Sequence, residues 1–363
     1  MNKIVLADMD NVVYGYATND PLAVGGSERY QWLLARALAA SGWSVSVGVR
    51  GALRAGSRET IAGVEFVGAS TRQILSSWYR FLNSEQPDWW FWAAAYHLWG
   101  AAVEIAKLCG VRTIFSTQFD TDVVPRNALS WRPRWWPLYA WGLFRTDKIF
   151  VQHSDQLSRL WPVLQSKASV LPGIVLQNGE HIFHASRDQY VAWVGMLRQP
   201  KRPDLLIEIA RAMPEIQFVV CGGQSHHRTT AEYSASAVEE MGRLRNVDFL
   251  GQVAPEEALR IIKRAALLLS TSDGEGFPSV FLEAWSAGTP VVSLKIDPDR
   301  VIRGHGLGML SGTVENAVID IKSLLNSPDE RERIAVRARR YIADNHSERA
   351  AVSIFERDLL GLQ

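Results

Sequence analysis

Residues 271–292 have the sequence Thr-Ser-Asp-Gly-Glu-Gly-Phe-Pro-Ser-Val-Phe-Leu-Glu-Ala-Trp-Ser-Ala-Gly-Thr-Pro-Val-Val. An apolar run before them predicts a strand, and Pro278 suits the first position of a helix that Gly288 ends. The backbone amides at such a helix start favour a phosphate group. Glu275 lies in the glycine-flanked turn, and Glu283 lies inside the helix, where a carboxylate can accept hydrogen bonds from the vicinal hydroxyls of a ribose. This strand–turn–helix therefore predicts an anion site flanked by two carboxylates.

The same stretch resembles the signature of retaining glycosyltransferases of family 4, enzymes with the GT-B fold, in which two glutamates separated by seven residues surround a Gly-Phe-Pro. The resemblance implies that Glu275 contacts the donor sugar near its reacting carbon and that Glu283 holds the nucleotide ribose. It also implies that the intervening turn and helix start bind the donor through Gly276, Phe277, Pro278, Ser279 and Val280. The alternative is an ordinary helix whose glutamates face solvent.

A basic loop follows the first strand of the second half of the chain. The family pattern has an arginine directly after Gly195 and a lysine six residues after it; Lys201 matches, but Met196 stands where the arginine would be. Cations after a strand can neutralise a departing diphosphate, and the resemblance assigns this role to Lys201. Either Arg198 or Arg202 substitutes for the missing arginine, or the diphosphate is held with one charge fewer. The alternative is a solvated basic loop.

Short apolar runs alternate with helical patterns along all 363 residues, which predicts an α/β protein with parallel sheets and more than one domain. The predicted strands are 3–8, 44–50, 63–67, 88–93, 112–116, 147–151, 168–171, 190–195, 216–221, 246–250, 266–270 and 289–293. The predicted helices are 26–41, 70–84, 97–109, 134–145, 154–165, 203–212, 230–243, 255–264, 278–287, 313–325, 328–344 and 347–360.

Proline and glycine punctuation predicts a linker at 172–179. We therefore predict two Rossmann-like, doubly wound domains that face each other across a cleft, an arrangement that the resemblance identifies as the GT-B fold. The resemblance also implies that the first domain, residues 1–172, binds the acceptor and that the second, residues 173–345, binds the nucleotide sugar. The resemblance implies that the last helix, within 346–363, crosses back to the first domain.

Glycines at two further places are candidates for donor contacts. Gly25 and Gly26 open the first long helix after a long loop from strand 1, in a Gly-Gly-Ser-Glu that matches the family's Gly-Gly-x-Glu. Because glycine lets backbone approach a ligand closely, the resemblance implies that this pair faces the diphosphate or the donor sugar. Gly223 follows the second strand of the second domain and permits close approach of a base or diphosphate. A tight strand-to-loop turn explains Gly223 equally well.

Polar residues that follow strand 112–116 are candidates for the acceptor side. Asp120 and Asp122 would face the cleft and could touch an acceptor hydroxyl, and Gln118 stands where relatives often have a histidine. The Asp-x-Asp spacing binds a divalent metal in a different glycosyltransferase fold, and it occurs here at Asp8/Asp10, Asp120/Asp122 and Asp297/Asp299. We predict no metal at any of them, because the cationic loop already offers leaving-group stabilisation. No other cofactor is predicted.

Composition excludes several classes of protein. With 47% hydrophobic and 21% charged residues the chain is not a disordered one. The balance of 39 basic against 38 acidic residues disfavours a nucleic-acid partner. Only two cysteines occur, which excludes a disulfide framework and fits a reducing compartment. The sequence contains neither a signal-peptide pattern nor a long apolar run, so we predict a cytoplasmic protein without a membrane span.

Tryptophan is concentrated in the first half, where 12 of the 14 lie. Residues 126–148 combine rings with cations, namely Trp131, Trp135, Trp136, Tyr139 and Trp141 with Arg126, Arg132, Arg134, Arg145 and Lys148. Such a mixture suits a membrane interface, and many relatives glycosylate lipid-linked acceptors at the inner face of a membrane. Peripheral membrane contact through 131–141 and burial against the sheet are equally supported. The run Trp89–Trp92 predicts a buried strand.

These observations predict a metal-independent, retaining hexosyltransferase. It would move a sugar from a UDP- or GDP-linked donor to a hydroxyl of a glycan or lipid-linked acceptor in polysaccharide or glycoconjugate synthesis. One alternative is another GT-B enzyme, such as a nucleotide-sugar 2-epimerase. A second is a non-enzymatic nucleotide-sugar-binding protein. A nicotinamide enzyme is disfavoured because no Gly-x-Gly-x-x-Gly follows strand 1.

Overall fold

The computed structural model describes residues 2–8, 11–20, 22–23, 25–70, 73–129, 132–176, 182–224 and 231–361. The chain forms two compact units: unit 1 comprises Met1–Ile174 and Glu348–Gln363, and unit 2 comprises Val175–Ser347. Each boundary lies two residues beyond the one expected from sequence. Three residues of the predicted linker, 177–179, lie outside the described residues.

Unit 1 contains an eight-stranded sheet in the described part of the chain, with the strand order β3-β4-β2-β1-β5-β6-β7-β8. Its strands are β1 (Lys3–Asp8), β2 (Ser44–Val49), β3 (Arg58–Ile61), β4 (Val64–Gly68), β5 (Trp89–Ala93), β6 (Arg112–Ser116), β7 (Lys148–Val151) and β8 (Ala168–Val170). All pairings are parallel except that of the edge strand β3 with β4. The prediction of a parallel sheet is confirmed.

The helices that precede the second unit are α1 (Val12–Ala17), α2 (Gly26–Ala40), α3 (Ile74–Glu85), α4 (Trp99–Leu108), α5 (Pro125–Ala128), α6 (Trp136–Arg145), α7 (Ser154–Arg159) and α8 (Pro162–Gln165). Helices α3, α4, α6 and α8 share one apolar core with β5. In that core the rings of Trp78, Trp90, Trp92 and Trp99 pack with centroids 5.5 to 6.4 Å apart. The buried strand predicted from Trp89–Trp92 is therefore confirmed.

Unit 2 contains a six-stranded parallel sheet in its described residues, with the order β11-β10-β9-β12-β13-β14. Its strands are β9 (Tyr190–Val194), β10 (Gln217–Cys221), β11 (Val247–Gly251), β12 (Leu267–Ser270), β13 (Val291–Ser293) and β14 (Gly308–Leu310). Its helices are α9 (Pro203–Ala212), α10 (Ala231–Gly242), α11 (Pro255–Arg264), α12 (Ser279–Ser286), α13 (Val301–His305), α14 (Val314–Leu325) and α15 (Pro328–Asn345).

The last helix, α16 (Glu348–Leu360), belongs to unit 1 and packs on α2. Arg36 of α2 donates to Glu348 at 2.6 Å, and the indole Nε1 of Trp43 donates to Glu356 at 2.8 Å. Phe355 stacks on Phe150 of β7 with ring centroids 5.3 Å apart. Ion pairing and aromatic packing thus fix α16 within unit 1.

The described residues contain five short helices and strands that the sequence patterns did not indicate: β3, β14, α1, α5 and α13. β3 is a polar, mostly exposed edge strand, so it lacks an apolar period, and β14 has three residues. The expected long loop after β1 contains α1. The helix predicted over 154–165 is broken into α7 and α8, because Trp161 precedes Pro162 and is extended at ψ 136°. No helix in the described ranges is long and apolar enough to cross a bilayer.

Candidate donor-binding site

The sheet of unit 2 brings two loops with opposite charges together. β9 pairs with β10 on one side and with β12 on the other, so the strand order reverses between β9 and β12. In open α/β sheets, ligands bind outside the carboxyl ends of the strands at such a switch point. Lys201 follows β9 and Glu275 follows β12. The topology therefore brings together two predicted site residues that are 74 positions apart in the chain.

Lys201 and Glu275 form an ion pair in which Nζ donates to Oε1. The pair is largely buried, since the two side chains are 17% and 9% exposed. The Lys201 stem runs beside Gly195, where an added Cβ would lie 3.5 Å from the lysine Cδ. A cation held in this way keeps a fixed position and is less screened by solvent than a surface lysine.

Three further hydrogen bonds tie the two loops to each other. The Thr271 hydroxyl donates to the Lys201 carbonyl at 2.7 Å and accepts from the Trp193 indole at 3.0 Å. The Asp273 amide donates to the Pro200 carbonyl at 2.9 Å. The sequence analysis did not identify Thr271 or Trp193. The signal that could have found Thr271 is a hydroxyl residue directly after the buried strand β12.

Arg202, one of the two candidates for the cation missing at Met196, is already paired with two carboxylates. Its guanidinium pairs with Asp204 at 2.7 Å and with Asp273 at 2.8 Å. Hydrogen bonds to Asp204 and then to Asp273 raise the pKa of Arg202 above its ordinary value. Arg198, half-buried, directly precedes a short 3-10 turn that ends at Lys201 and is the other candidate.

The helix α12 presents the second carboxylate. Glu283 is buried within it, and Gly276 and Pro278 are buried in the turn before it. Pro278 occupies the position before the helix instead of the expected first helical position, so Ser279 and Val280 supply the first amides of α12. Amides of a first turn have no partner inside the helix and favour an anion. The expected strand–turn–helix therefore exists, shifted by one residue at the helix start.

The two ends of α12 are anchored by aromatic packing and by two buried side chains, Arg187 and His184. Phe277 packs against His346, with ring centroids 5.0 Å apart. Arg187 donates to the Ala287 carbonyl at 2.6 Å, and His184 Nε2 donates to the Gly288 carbonyl at 2.8 Å. Burial lowers the pKa of His184 to about 4, so the imidazole is neutral near pH 7. Sequence reasoning missed both Arg187 and His184, since carbonyl acceptors leave no residue-type signal.

Gly223 lies just after β10, close to two flexible side chains of unit 2. A Cβ at this position would lie 2.8 Å from Gln252 Oε1 and 3.1 Å from the Met196 sulfur. Because both atoms are the ends of flexible side chains, a donor contact and a tight strand-to-loop turn both stay predictions for Gly223.

Gly25 and Gly26 lie in unit 1, at the start of α2, and so belong to a different unit from the other donor candidates. Gly25 has φ +148°, a conformation that favours glycine, and the Glu28 carboxylate folds back against it.

The acceptor-side candidates occupy two different environments at the carboxyl end of β6. Burial by itself raises the pKa of Asp120. Hydrogen bonds from His153 at 2.9 Å and Gln156 at 3.0 Å outweigh this effect and hold the pKa below its ordinary value. Asp122 is only 2% exposed, and burial raises its pKa to about 6. Its carboxylate accepts from the Gln118 amide at 2.7 Å and so fixes the loop.

Of the two other Asp-x-Asp pairs, the structure describes Asp297/Asp299 fully and Asp8/Asp10 only in part. Asp297 accepts from the Ile302 amide at 2.7 Å and from Arg303 at 2.9 Å, so it caps α13. Asp10 and the side chain of Asp8 lie outside the described residues.

Comparison with known proteins identifies the class and then the family. The family model described as "Glycosyl transferases group 1" matches residues 179–341, and "Glycosyl transferase 4-like domain" matches residues 25–172. Two parallel-sheet α/β units with these matches define a glycosyltransferase of the GT-B class. The chain belongs to the group 1 glycosyltransferases of family 4, which confirms the resemblance of residues 271–292.

Curated relatives match over part of their length. The D-inositol 3-phosphate glycosyltransferase of Mycobacterium sp. (strain KMS) is 29% identical over 141 residues, 36% of this chain and 32% of that protein. The enzyme of the same name from Segniliparus rotundus is 32% identical over 149 residues, 39% of this chain and 33% of that protein. The chain thus matches about a third of the length of these relatives.

Solved structures match over the whole chain. Sucrose-phosphate synthase from Thermosynechococcus elongatus has a TM-score of 0.80 at 15% identity, covering 99% of this chain and 100% of that one. Anabaena HepE, in complex with UDP and glucose, has a TM-score of 0.78 at 15% identity, covering 100% of both chains. At such low identity these likenesses concern the fold alone.

Proposed function

We propose that this protein is a retaining hexosyltransferase that moves a sugar from a nucleotide diphosphate donor to a hydroxyl group. The observation that carries the proposal is the Lys201–Glu275 ion pair at the switch point of the unit that matches the group 1 family. UDP-linked donors are the first to test, with GDP-linked donors second, because Anabaena HepE is described in complex with UDP and glucose. The acceptor is a glycan or a lipid-linked glycan.

The proposed roles follow from charge and position. Lys201, aided by Arg198 and the amides of Ser279 and Val280, stabilises the diphosphate as it departs. Glu275 accepts hydrogen bonds from the donor sugar hydroxyls, and Glu283 accepts them from the ribose. The acceptor hydroxyl attacks from the face that the diphosphate leaves, and the leaving phosphate oxygen accepts its proton. This same-face course gives retention without a protein nucleophile.

On the acceptor side, Asp120 is the stronger candidate of the two aspartates. It is ionised, and its side chain is 36% exposed, so it can accept a hydrogen bond from an acceptor hydroxyl. Asp122 and Gln118 shape the loop that carries it. We also propose that the protein works in a reducing, cytoplasmic setting, since Cys109 and Cys221 are both free.

The test of the proposed function is a panel of nucleotide sugars. Thermal shift first identifies the donor, because a ligand that binds only the native state raises the Tm. Release of the nucleoside diphosphate is then measured with and without glycan acceptors. A glycosyltransferase releases it in an acceptor-dependent way. Without acceptor, an epimerase releases it or returns an epimerised nucleotide sugar, and a binding protein does neither. Either of the last two results would contradict the proposal.

Replacing Glu283 with alanine is expected to weaken binding of the donor nucleotide by about 10- to 100-fold, because hydrogen bonds to a charged group contribute about 1.5–3 kcal/mol. Isothermal calorimetry with the nucleoside diphosphate measures the change. Glu239→Ala, which removes an exposed glutamate of α10 in the same unit, is the matched control. Unchanged affinity in Glu283→Ala would contradict the ribose role.

Turnover is expected to survive excess EDTA with little change in rate. The reason is that Lys201 and the start of α12 already place positive charge where the diphosphate departs. Initial rates are compared before chelation, after it, and after magnesium or manganese is added back. A loss that either metal restores would instead favour the Asp-x-Asp pairs as metal sites.

A further inference from the structure

An exposed aromatic surface lies on the outer side of unit 1. The surface consists of Leu108 at the end of α4, Trp141 and Phe144 in α6, and Trp161 and Val163 at the start of α8. Their exposed fractions are 79%, 50%, 43%, 36% and 62%, in that order. The rings of Phe144 and Trp161 pack with centroids 5.2 Å apart. A cluster of exposed, large apolar side chains often marks an interaction site.

The topology explains why these residues gather at one place. α4, α6 and α8 cover the same face of the sheet, where they share one apolar core. α4 precedes β6 and α6 precedes β7, so Leu108 and Phe144 both lie toward the amino ends of neighbouring parallel strands. The acceptor-side residue Asp120 follows the carboxyl end of β6. The aromatic surface therefore lies at the amino ends of the strands of this sheet, and the acceptor candidates lie at the carboxyl ends.

Basic side chains surround the aromatic surface. Arg145 lies over the Trp141 ring at 5.6 Å, and Lys167 donates to the Phe144 carbonyl at 2.7 Å. Lys107 and Arg145 are close enough to Lys167 to act on its charge. The acidic neighbours are Glu104, which pairs with Arg145 at 2.9 Å, and Asp147, which accepts from the Thr113 amide at 2.8 Å.

The stretch that contains these helices and the strands between them has a small net positive charge. Residues 73–167 carry ten basic and seven acidic side chains, and two of the acidic ones, Glu85 and Asp122, are buried. The complete chain, by contrast, has a net charge of only +1. Beside the rings themselves, the three cations Lys107, Arg145 and Lys167 outnumber the two carboxylates Glu104 and Asp147.

We propose that the aromatic surface binds an anionic phospholipid bilayer. Tryptophan rings favour the headgroup level of a bilayer, and lysine and arginine beside them meet the anionic lipid. This assignment moves the predicted membrane contact from 131–141 toward the ends of α4, α6 and α8. Within the former stretch Trp135 is exposed and Trp141 is shared with the new surface, whereas Trp131 lies outside the described residues. The proposal does not depend on the sugar-transfer reaction.

Sedimentation with vesicles tests the proposal. The full chain is mixed at low salt with vesicles of phosphatidylcholine alone or with about one third phosphatidylglycerol. We expect sedimentation with the anionic vesicles only, and loss of binding at high salt, because screening weakens attraction between exposed charges. Trp141→Ser/Phe144→Ser removes exposed rings, and Lys107→Glu/Arg145→Glu reverses two charges. At about fivefold in affinity for each basic residue, the second variant is expected to bind at least about 25-fold more weakly.

Two control variants locate the contact. Val336→Ser/Arg340→Glu makes comparable changes on exposed positions of α15 in unit 2 and is expected to bind as the wild type does. Arg132→Glu/Arg134→Glu is expected to keep most of the binding. If the wild type stays in the supernatant with anionic vesicles, the surface serves a protein partner or a second copy and the proposal is wrong. Equal binding by both surface variants, or loss in Arg132→Glu/Arg134→Glu alone, also overturns it.

Discussion

Replacing Lys201 with methionine is expected to lower kcat for sugar transfer by about 10²- to 10³-fold, with a smaller change in donor KM. The methionine keeps the stem that runs beside Gly195 but removes the ammonium group. Charge on the diphosphate grows as the bond to the sugar breaks, so a fixed cation stabilises the transition state more than the bound donor. Initial rates of nucleoside diphosphate release, with saturating acceptor, measure the effect.

Two controls separate chemistry from folding in the Lys201 experiment. The substitution leaves Glu275 largely buried without its cation, which by itself destabilises a protein. The double variant Lys201→Met/Glu275→Gln removes that unpaired charge, and we expect it to recover Tm but not kcat. Lys322→Met, which breaks an exposed ion pair with Glu215 in the same unit, is the matched surface control. Recovery of kcat in the double variant would contradict a role for the Lys201 cation in catalysis.

Replacing Glu275 with glutamine is expected to lower kcat by about 10²-fold or more while binding of the free nucleoside diphosphate changes little. The amide preserves the size of the side chain but removes the negative charge. Hydrogen bonds that a carboxylate accepts are about twice as strong as neutral ones, and those to the reacting sugar strengthen as positive charge develops at its anomeric carbon. Calorimetry with the diphosphate and kinetics with the sugar nucleotide distinguish the two effects.

The outcome of the Glu275 experiment also distinguishes between the alternatives. A protein that only binds nucleotide sugars would tolerate Glu275→Gln in every assay. Glu239→Gln, at an exposed position of α10, should behave as the wild type does. Equal loss of affinity for diphosphate and for sugar nucleotide would mean that Glu275 contacts the nucleotide and not the sugar.

Structural features that depend on residues close together in the chain could be predicted from the sequence. Alternating apolar runs predicted both parallel sheets, and the Trp89–Trp92 run predicted a buried strand. The motif around Glu275 and Glu283 predicted the strand–turn–helix and the family. The ligand contacts of these residues stay predictions. Short or polar elements such as β3 were missed, because an exposed edge strand needs no apolar period.

The sequence by itself determined the fold class, the family and the strand–turn–helix motif, because each depends on residue order within a short window. Only the tertiary structure decided which charges meet. It joined Lys201 to Glu275, paired Arg202 with Asp204 and Asp273, and buried Asp122. It also decided which tryptophans lie in the core and which on the surface. These outcomes depend on strand order and helix packing, which place residues far apart in the chain within a few ångströms of each other, and no local pattern encodes that distance.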